Sequence, residues 1–167
     1  MGMRLRPLLL ADEAEFRRIH SAMDAEHFEF GLGLDEATSW VTYIDALDEM
    51  RRGNVQPGFV PATFLVAVVD DEIVGRTSIR HELNDFLAHE GGHIGYGVAL
   101  EHRRRGHATE ILRQSVIVGR SHGVDRALVV CNEDNVASAA VIESCGGVLE
   151  SVVDGADGVR KKRYWID

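Results

Sequence analysis

Three stretches of this sequence combine residue types and spacings that can do chemistry. The first is Arg103-Arg104-Arg105-Gly106-His107-Ala108-Thr109. Its side chains shrink at Gly106 and Ala108, so backbone N–H groups can converge at the start of a helix, where unpaired first-turn donors and the dipole favour an anion. With three arginines alongside, that anion would be a phosphate. The second is Asn135-Val136-Ala137-Ser138, an amide and a hydroxyl three residues apart at the head of another helix. Asn135 can cap that helix and still meet a ligand. The third is His89-Glu90-Gly91-Gly92-His93, which literally matches HExxH. Zinc chemistry on that motif needs both histidines on one helical face with the glutamate as base. Two adjacent glycines disfavour the helix, no third ligand is evident, and a strand pattern begins at Ile94, so no metal is expected.

The elements that must position these groups follow from periodicity. Ile94, Tyr96 and Val98 alternate with small residues as a short strand, and Gly95 and Gly97 predict a bulge that turns its N–H groups toward a ligand. A helix from Gly106 to about His122 places Ala108, Ile111, Leu112 and Ser115 on one face, and Glu110, Arg113 and Gln114 on the other. Gly123 stops it. Arg126 to Cys131 reads as a buried strand, so strand, helix and strand form a right-handed parallel crossover with the ligand at the carboxyl ends of the two strands.

Upstream, Arg4 to Leu10 forms a strand interrupted by Pro7, which suits a sheet edge. Asp12 and Glu15 read as a capping box for a helix with an apolar stripe of Phe16, Ile19 and Met23. A second helix is expected from near Asp35, with Ala37, Trp40, Val41, Ile44 and Leu47 inward and Gly53 at its end. Thr63 to Val69 and Ile73 to Ile79 make an antiparallel hairpin across Asp70-Asp71-Glu72. At the carboxyl end, Val148 to Val153 and Val159 to Ile166 form another hairpin. The basic run Arg160 to Arg163 is expected to protect an edge by charge, with binding of an acidic substrate the alternative reading.

Composition bounds the rest. The 167 residues suffice for one domain, expected over 1–167, and their 45% apolar and 27% charged content is that of a soluble globular protein. No apolar run reaches membrane-spanning length and the amino terminus has no signal core, so the expected location is cytoplasmic. Cys131 and Cys145 are too few for a disulfide framework. A net charge of −9 argues against general nucleic-acid binding and makes the local arginine cluster informative.

Arg103-x-x-Gly106-x-Ala108 after a strand and before an amphipathic helix resembles the acetyl-CoA-binding turn of the GNAT N-acetyltransferase superfamily. Asn135 to Ser138, leading into a helix that ends at Gly146-Gly147, resembles its second motif. RHELNDFL followed by GGHIGYGV resembles a group of bacterial members, and the Asn-Val-Ala-Ser-x-x-Val-Ile-Glu-Ser pattern resembles the branch that modifies ribosomal-protein amino termini. The resemblance implies an α/β (α+β) fold: a mixed, mostly antiparallel sheet of about six to seven strands, with a parallel central pair splayed to hold CoA and about four flanking helices. It implies an acetyl-CoA-dependent N-acetyltransferase that uses acetyl-CoA as cosubstrate without a metal. The acetyl group passes by direct attack to a primary amine of a small molecule or a protein amino terminus. The same cleft would also suit a non-catalytic acyl-CoA-binding regulator. CoA contacts fall on Val98, Ala99, Leu100, Arg103, Arg104, Arg105, Gly106, His107, Ala108, Thr109, Asn135 and Ser138. The members' first two helices and their connection form an acceptor wall, where Phe28, Phe30, Trp40 and Phe59 either line the pocket or belong to the core.

An ammonium acceptor must lose a proton before attack, so a base is needed, direct or through water. His93 is the first candidate, with Glu82 and His81 as alternatives. The superfamily's usual tyrosine acid falls on Ile142, a departure that leaves Tyr96, Ser138 or water to protonate the thiolate. Members often dimerise, and a homodimer is compatible with the sequence.

Overall fold

In the computed structural model, which describes residues 2–167, one sheet is built from β1 (Arg4–Arg6), β2 (Ala62–Val69), β3 (Glu72–Arg80) and β4 (Ile94–Val98). They lie in that spatial order, antiparallel throughout. β1 ends before Pro7, which cannot donate to a ladder, and it takes the edge. Asp70 and Asp71 turn the β2–β3 hairpin with φ of 50° and 64°, the backbone twist of a two-residue connection. A second antiparallel sheet has the order β5 (Ala127–Asn132), β7 (Arg160–Ile166), β6 (Val148–Asp154). Four longer helices, α1 (Glu13–Asp24), α2 (Trp40–Arg51), α3 (His107–Ser121) and α4 (Val136–Ser144), complete the mixed α/β architecture expected from the sequence.

Apolar periodicity fixes which face each helix buries. α1 and α2 cover one face of the first sheet through Phe16, Ile19, Met23, Trp40 and Tyr43, which pack on Phe30, Phe64 and Val66. The Phe16 ring stands 5.1 Å from Phe30 and edge-on to Phe64 at 6.0 Å. α3 covers the other face, burying Ile111, Leu112, Ser115, Val116 and Gly119. Leu112 and Val116 pack in one cluster with Ile142, Val129 and Tyr164, which spans both sheets.

The parallel pair, β4 and β5, meets only where the two strands begin. The His93 N–H donates to the Leu128 carbonyl at 2.7 Å, and the Leu128 N–H donates to His93 Nδ1 at 2.9 Å. Beyond that clasp no ladder joins them, and the sheet splits into its two halves.

Several local expectations are corrected. Asp12 forms no capping box with Glu15; it is buried, pairs with Arg6 at 2.7 Å and accepts from the Leu9 N–H, while Glu15 accepts from the Ile73 N–H of β3. α2 begins at Trp40, not near Asp35, because the Ser39 hydroxyl caps it by accepting from the Thr42 N–H, and Asp35 instead closes a turn onto Thr38. Its inward face carries Tyr43, while Val41 is exposed. β7 is central, not an edge. Three of its four cations are held by local acids and amides, Arg160 by Glu133, Lys161 by Asp157 and Asn132, and Arg163 by Glu150.

Candidate active site

Where β4 and β5 diverge, a cleft of about 570 Å³ opens. Tyr96, Gly97 and Val98 of β4 form its floor, and Arg103, Arg104 and residues 106–109 form its mouth. Asn135, Ala137, Ser138 and Val141 line one side; Met23 and Phe28 line the other. The cleft lies at the carboxyl ends of the parallel strands, as the crossover requires.

The expected bulge is absent. β4 keeps one continuous register against β3, from Gly75 opposite Val98 to Ile79 opposite Ile94. Divergence from β5 is what frees the donors. Ala99 donates to the Val74 carbonyl and Arg80 donates to the His93 carbonyl, so strand alternation turns the N–H groups of Tyr96 and Val98 away from β3 and toward the gap. The glycines serve close packing instead. A Cβ on Gly97 would sit 2.5 Å from Phe28 Cζ, and one on Gly95 would sit 3.3 Å from Arg80 Nη1.

At the mouth, Gly106 caps α3 with φ 80°, following Arg104 at φ 63°. No side chain caps this helix; its first internal bond runs from the Glu110 N–H to the Gly106 carbonyl, which leaves the N–H groups of His107, Ala108 and Thr109 free at the cleft. Three open donors at the positive end of a helix dipole suit a pyrophosphate. The arginine triplet divides. Arg104 lines the mouth; Arg103 lines it while pairing with Glu26 at 3.0 Å; Arg105 turns to a neighbouring hollow with Glu72 and Glu101.

Deeper in, the Tyr96 hydroxyl lies 2.8 Å from Ser138 Oγ, and burial pushes its pKa up to about 12, partly offset by the Ser138 bond. Asn135 Oδ1 accepts from the Ser138 N–H at 3.1 Å, so the amide is the helix cap and a cleft residue at once. Ile142 is wholly buried in the core. Cys131 and Cys145 are free thiols, both with pKa pushed up chiefly by burial.

Other candidates lie outside this lining. His93 is buried, and its Nδ1 lone pair is taken by the Leu128 N–H, so in the neutral ring Nε2 carries the proton and Nδ1 can take one up only by giving up the Leu128 bond. Glu82 is exposed beyond the end of β3. His81 stacks on His122 with centroids 4.0 Å apart and meets Thr63 Oγ1. Ala99 is buried in the core and Leu100 lies in the following turn, neither on the cleft wall. Phe30 and Trp40 are core, Phe59 is exposed elsewhere, and Phe28 alone of the four aromatics faces the cleft. The HExxH residues have unrelated partners: His89 meets the Asp154 carbonyl, Glu90 accepts from the Ala156 N–H, and Gly92, at φ 73°, turns His93 away into β4. Sequence reasoning missed Met23, His102, Ala137 and Val141 as lining residues. Val141 had a signal, since it lies three residues after Ser138 on the same helical face.

Residues 3–148 match the family model described as acetyltransferase (GNAT) domain. No curated protein sequence matches the chain. Among solved structures, Mycobacterium smegmatis RimJ in complex with CoA-disulfide is similar at TM-score 0.70 and 25% identity, over 98% of this chain and 81% of that one. The Salmonella typhimurium yncA structure, described as a putative acetyltransferase with its cofactor acetyl-CoA, is similar at TM-score 0.65 and 14% identity, over 100% and 94%. RimL, described as a ribosomal L7/L12 alpha-N-protein acetyltransferase in complex with coenzyme A, is similar at TM-score 0.69 and 16% identity, over 99% and 93%.

Proposed function

Because this chain belongs to the GNAT acetyltransferase family, we propose that the β4–β5 cleft binds acetyl-CoA and passes its acetyl group directly to a primary amine. The observation that carries this reading is the joint placement of two donor sets. The Tyr96 and Val98 N–H groups edge the gap, and the open first turn of α3 stands at its mouth. The first set suits the amides and thioester of a pantetheine arm, the second its pyrophosphate. The RimJ and yncA structures, which hold CoA-disulfide and acetyl-CoA, support the same assignment.

In this mechanism the amine nitrogen attacks the thioester carbonyl carbon while the Val98 N–H stabilises the developing oxyanion. The tetrahedral intermediate then collapses, the C–S bond breaks, and the thiolate takes a proton. Tyr96 is the proposed source of that proton, because burial keeps its hydroxyl neutral and Ser138 Oγ lies 2.8 Å away to share the load. No Asp or Glu side chain lines the cleft among the described residues, His93 Nδ1 is taken by the Leu128 N–H, and the two lining histidines belong to the mouth, His102 facing Glu72 and His107 on the first turn of α3. Water is therefore the proposed carrier of the ammonium proton. Positioning two reactants in near-attack geometry can supply roughly 7–11 kcal/mol in favourable cases. The acceptor is a small amine or a protein amino terminus. No helix of the described residues is long and apolar enough to cross a membrane.

The test is release of free CoA thiol from acetyl-CoA by the purified chain, with and without a panel of amines. Amine-dependent release with a matching acetylated product is expected. Acetyl-CoA that binds but is never consumed would instead establish the binding-regulator reading.

A further inference from the structure

Two arginines lie on one face of β3, and neither makes an ion pair with a carboxylate among the described residues. Arg76 and Arg80 are four apart, so strand alternation points both to the α1–α2 side, opposite the Tyr96 side chain. Arg76 is buried. Its Nε, Nη1 and Nη2 donate to the carbonyls of Phe30, Gly95 and Glu29 at 3.0, 3.1 and 2.8 Å, and its guanidinium lies 4.8 Å from the Phe28 ring centroid. The Glu29 carboxylate is engaged elsewhere, accepting from the Gly33 N–H. Arg80 makes one long bond, Nη1 to the Gly91 carbonyl at 3.5 Å, and keeps donors to spare. Its guanidinium stands over Gly95 and fills the space of the missing side chain; both residues are half-buried, not sealed.

Confining two like charges beside one strand without an acid is costly, and the cost falls when an anion arrives. Burial pushes the pKa of Arg76 down to about 10, with the Arg80 charge adding to the effect. Gly95 precedes Tyr96 by one residue and Val98 by three. At about 3.3 Å per residue, an anion held over Gly95 lies within about 10 Å of the donors proposed to hold the thioester.

Building on the acetyl-CoA reading above, we infer that the acceptor amine carries a carboxylate, and that Arg80, with Arg76 behind it, receives that carboxylate on the α1–α2 face of β4. A free amino acid and an acidic peptide amino terminus share this chemistry.

The experiment compares acetylation of β-alanine with β-alaninamide, and of Ala-Asp-Ala-Ala-amide with Ala-Asn-Ala-Ala-amide. The carboxylate member of at least one pair is expected to exceed its neutral partner in kcat/KM by about tenfold, the ratio that corresponds to about 1.4 kcal/mol. Preference in the first pair assigns a small amino acid; preference in the second assigns a peptide. Arg80→Gln should bring the pair to within about threefold, through KM more than kcat, and Arg80→Lys should restore part of the preference. Calorimetric affinity for acetyl-CoA, measured on the same preparations, distinguishes the two readings. If donor binding is intact but no pair shows a carboxylate preference, no carboxylate member is acetylated, or Arg80→Gln leaves the preference unchanged, the inference is overturned while the donor site stands. Absent donor binding removes the premise and overturns both.

Discussion

His93 and Leu128 exchange two hydrogen bonds, backbone N–H to carbonyl at 2.7 Å and backbone N–H to imidazole Nδ1 at 2.9 Å, at the point from which β4 and β5 part. The pair acts as the hinge pin of the cleft. It closes the base of a gap whose far end must stay open, and it makes a histidine with a catalytic-looking position into a structural one.

That role fixes a pH dependence. Burial, with the nearby Arg80 charge, holds the His93 pKa below its ordinary value. The unfolded chain therefore binds the proton more readily, so the stabilisation is fully present above about pH 6.5 and is lost as pH falls toward the folded-state value. Thermal melts should show Tm dropping below about pH 6.5, with His93→Gln flattening the drop, since its amide oxygen can accept from Leu128 at any pH. His93→Ala should cost about 1–3 kcal/mol at neutral pH by orphaning the Leu128 N–H. His81 and His107, also held low mainly by burial, add to the slope in the same direction. An unchanged slope in His93→Gln would show that the clasp does not titrate.

Tyr96 carries the proposed proton donation. Tyr96→Phe should lower kcat by about 10²-fold while leaving the Kd for acetyl-CoA within a few-fold. Ser138→Ala should have a smaller effect in the same direction. Steady-state kinetics alongside calorimetry checks both, and a full kcat in Tyr96→Phe would return the acid role to water.

Glycine packing at the cleft is equally testable. Gly97→Ala forces the Phe28 ring away from β4, because the added carbon would lie 2.5 Å from Cζ. Gly75→Ala is worse, since its Cβ would lie 2.5 Å from the rigid Gly97 carbonyl oxygen. Overpacking costs of about 1–3 kcal/mol are expected, larger for Gly75→Ala, and denaturant unfolding measures them. Equal stability of the two variants would contradict the distinction between a yielding ring and a fixed backbone.

Much of this was legible in the sequence, for reasons particular residues make plain. The turn Arg103 to Thr109 and the cap at Asn135 depend on short-range chemistry, a shrinking side chain beside a helix start, and both land on the cleft, Arg105 excepted. The α3 stripe of Ile111, Leu112 and Ser115 is local periodicity and is buried. What failed was decided at long range. Nothing near Glu15 announces that it will bond the Ile73 N–H, 58 residues away, in place of capping its own helix. Gly95 and Gly97 look like a bulge until the Arg80 guanidinium and Phe28 ring that fill their missing side chains are placed beside them. His93 reads as a base because its ring and its strand are visible, whereas Leu128, which occupies its lone pair, lies 35 residues on. The basic run of β7 looked like edge protection because strand order cannot be read from a hairpin alone.

The central claim is that the gap between β4 and β5 holds CoA with its pyrophosphate on the open first turn of α3. Calorimetric titration of CoA into the chain and into Gly106→Pro tests it most directly, since proline cannot adopt the φ of 80° that sets that turn. Saturable binding at one CoA per chain, weakened at least about tenfold in a folded Gly106→Pro, is the expected result. Absence of binding to the unaltered chain, or equal affinity in the two proteins, would contradict the account.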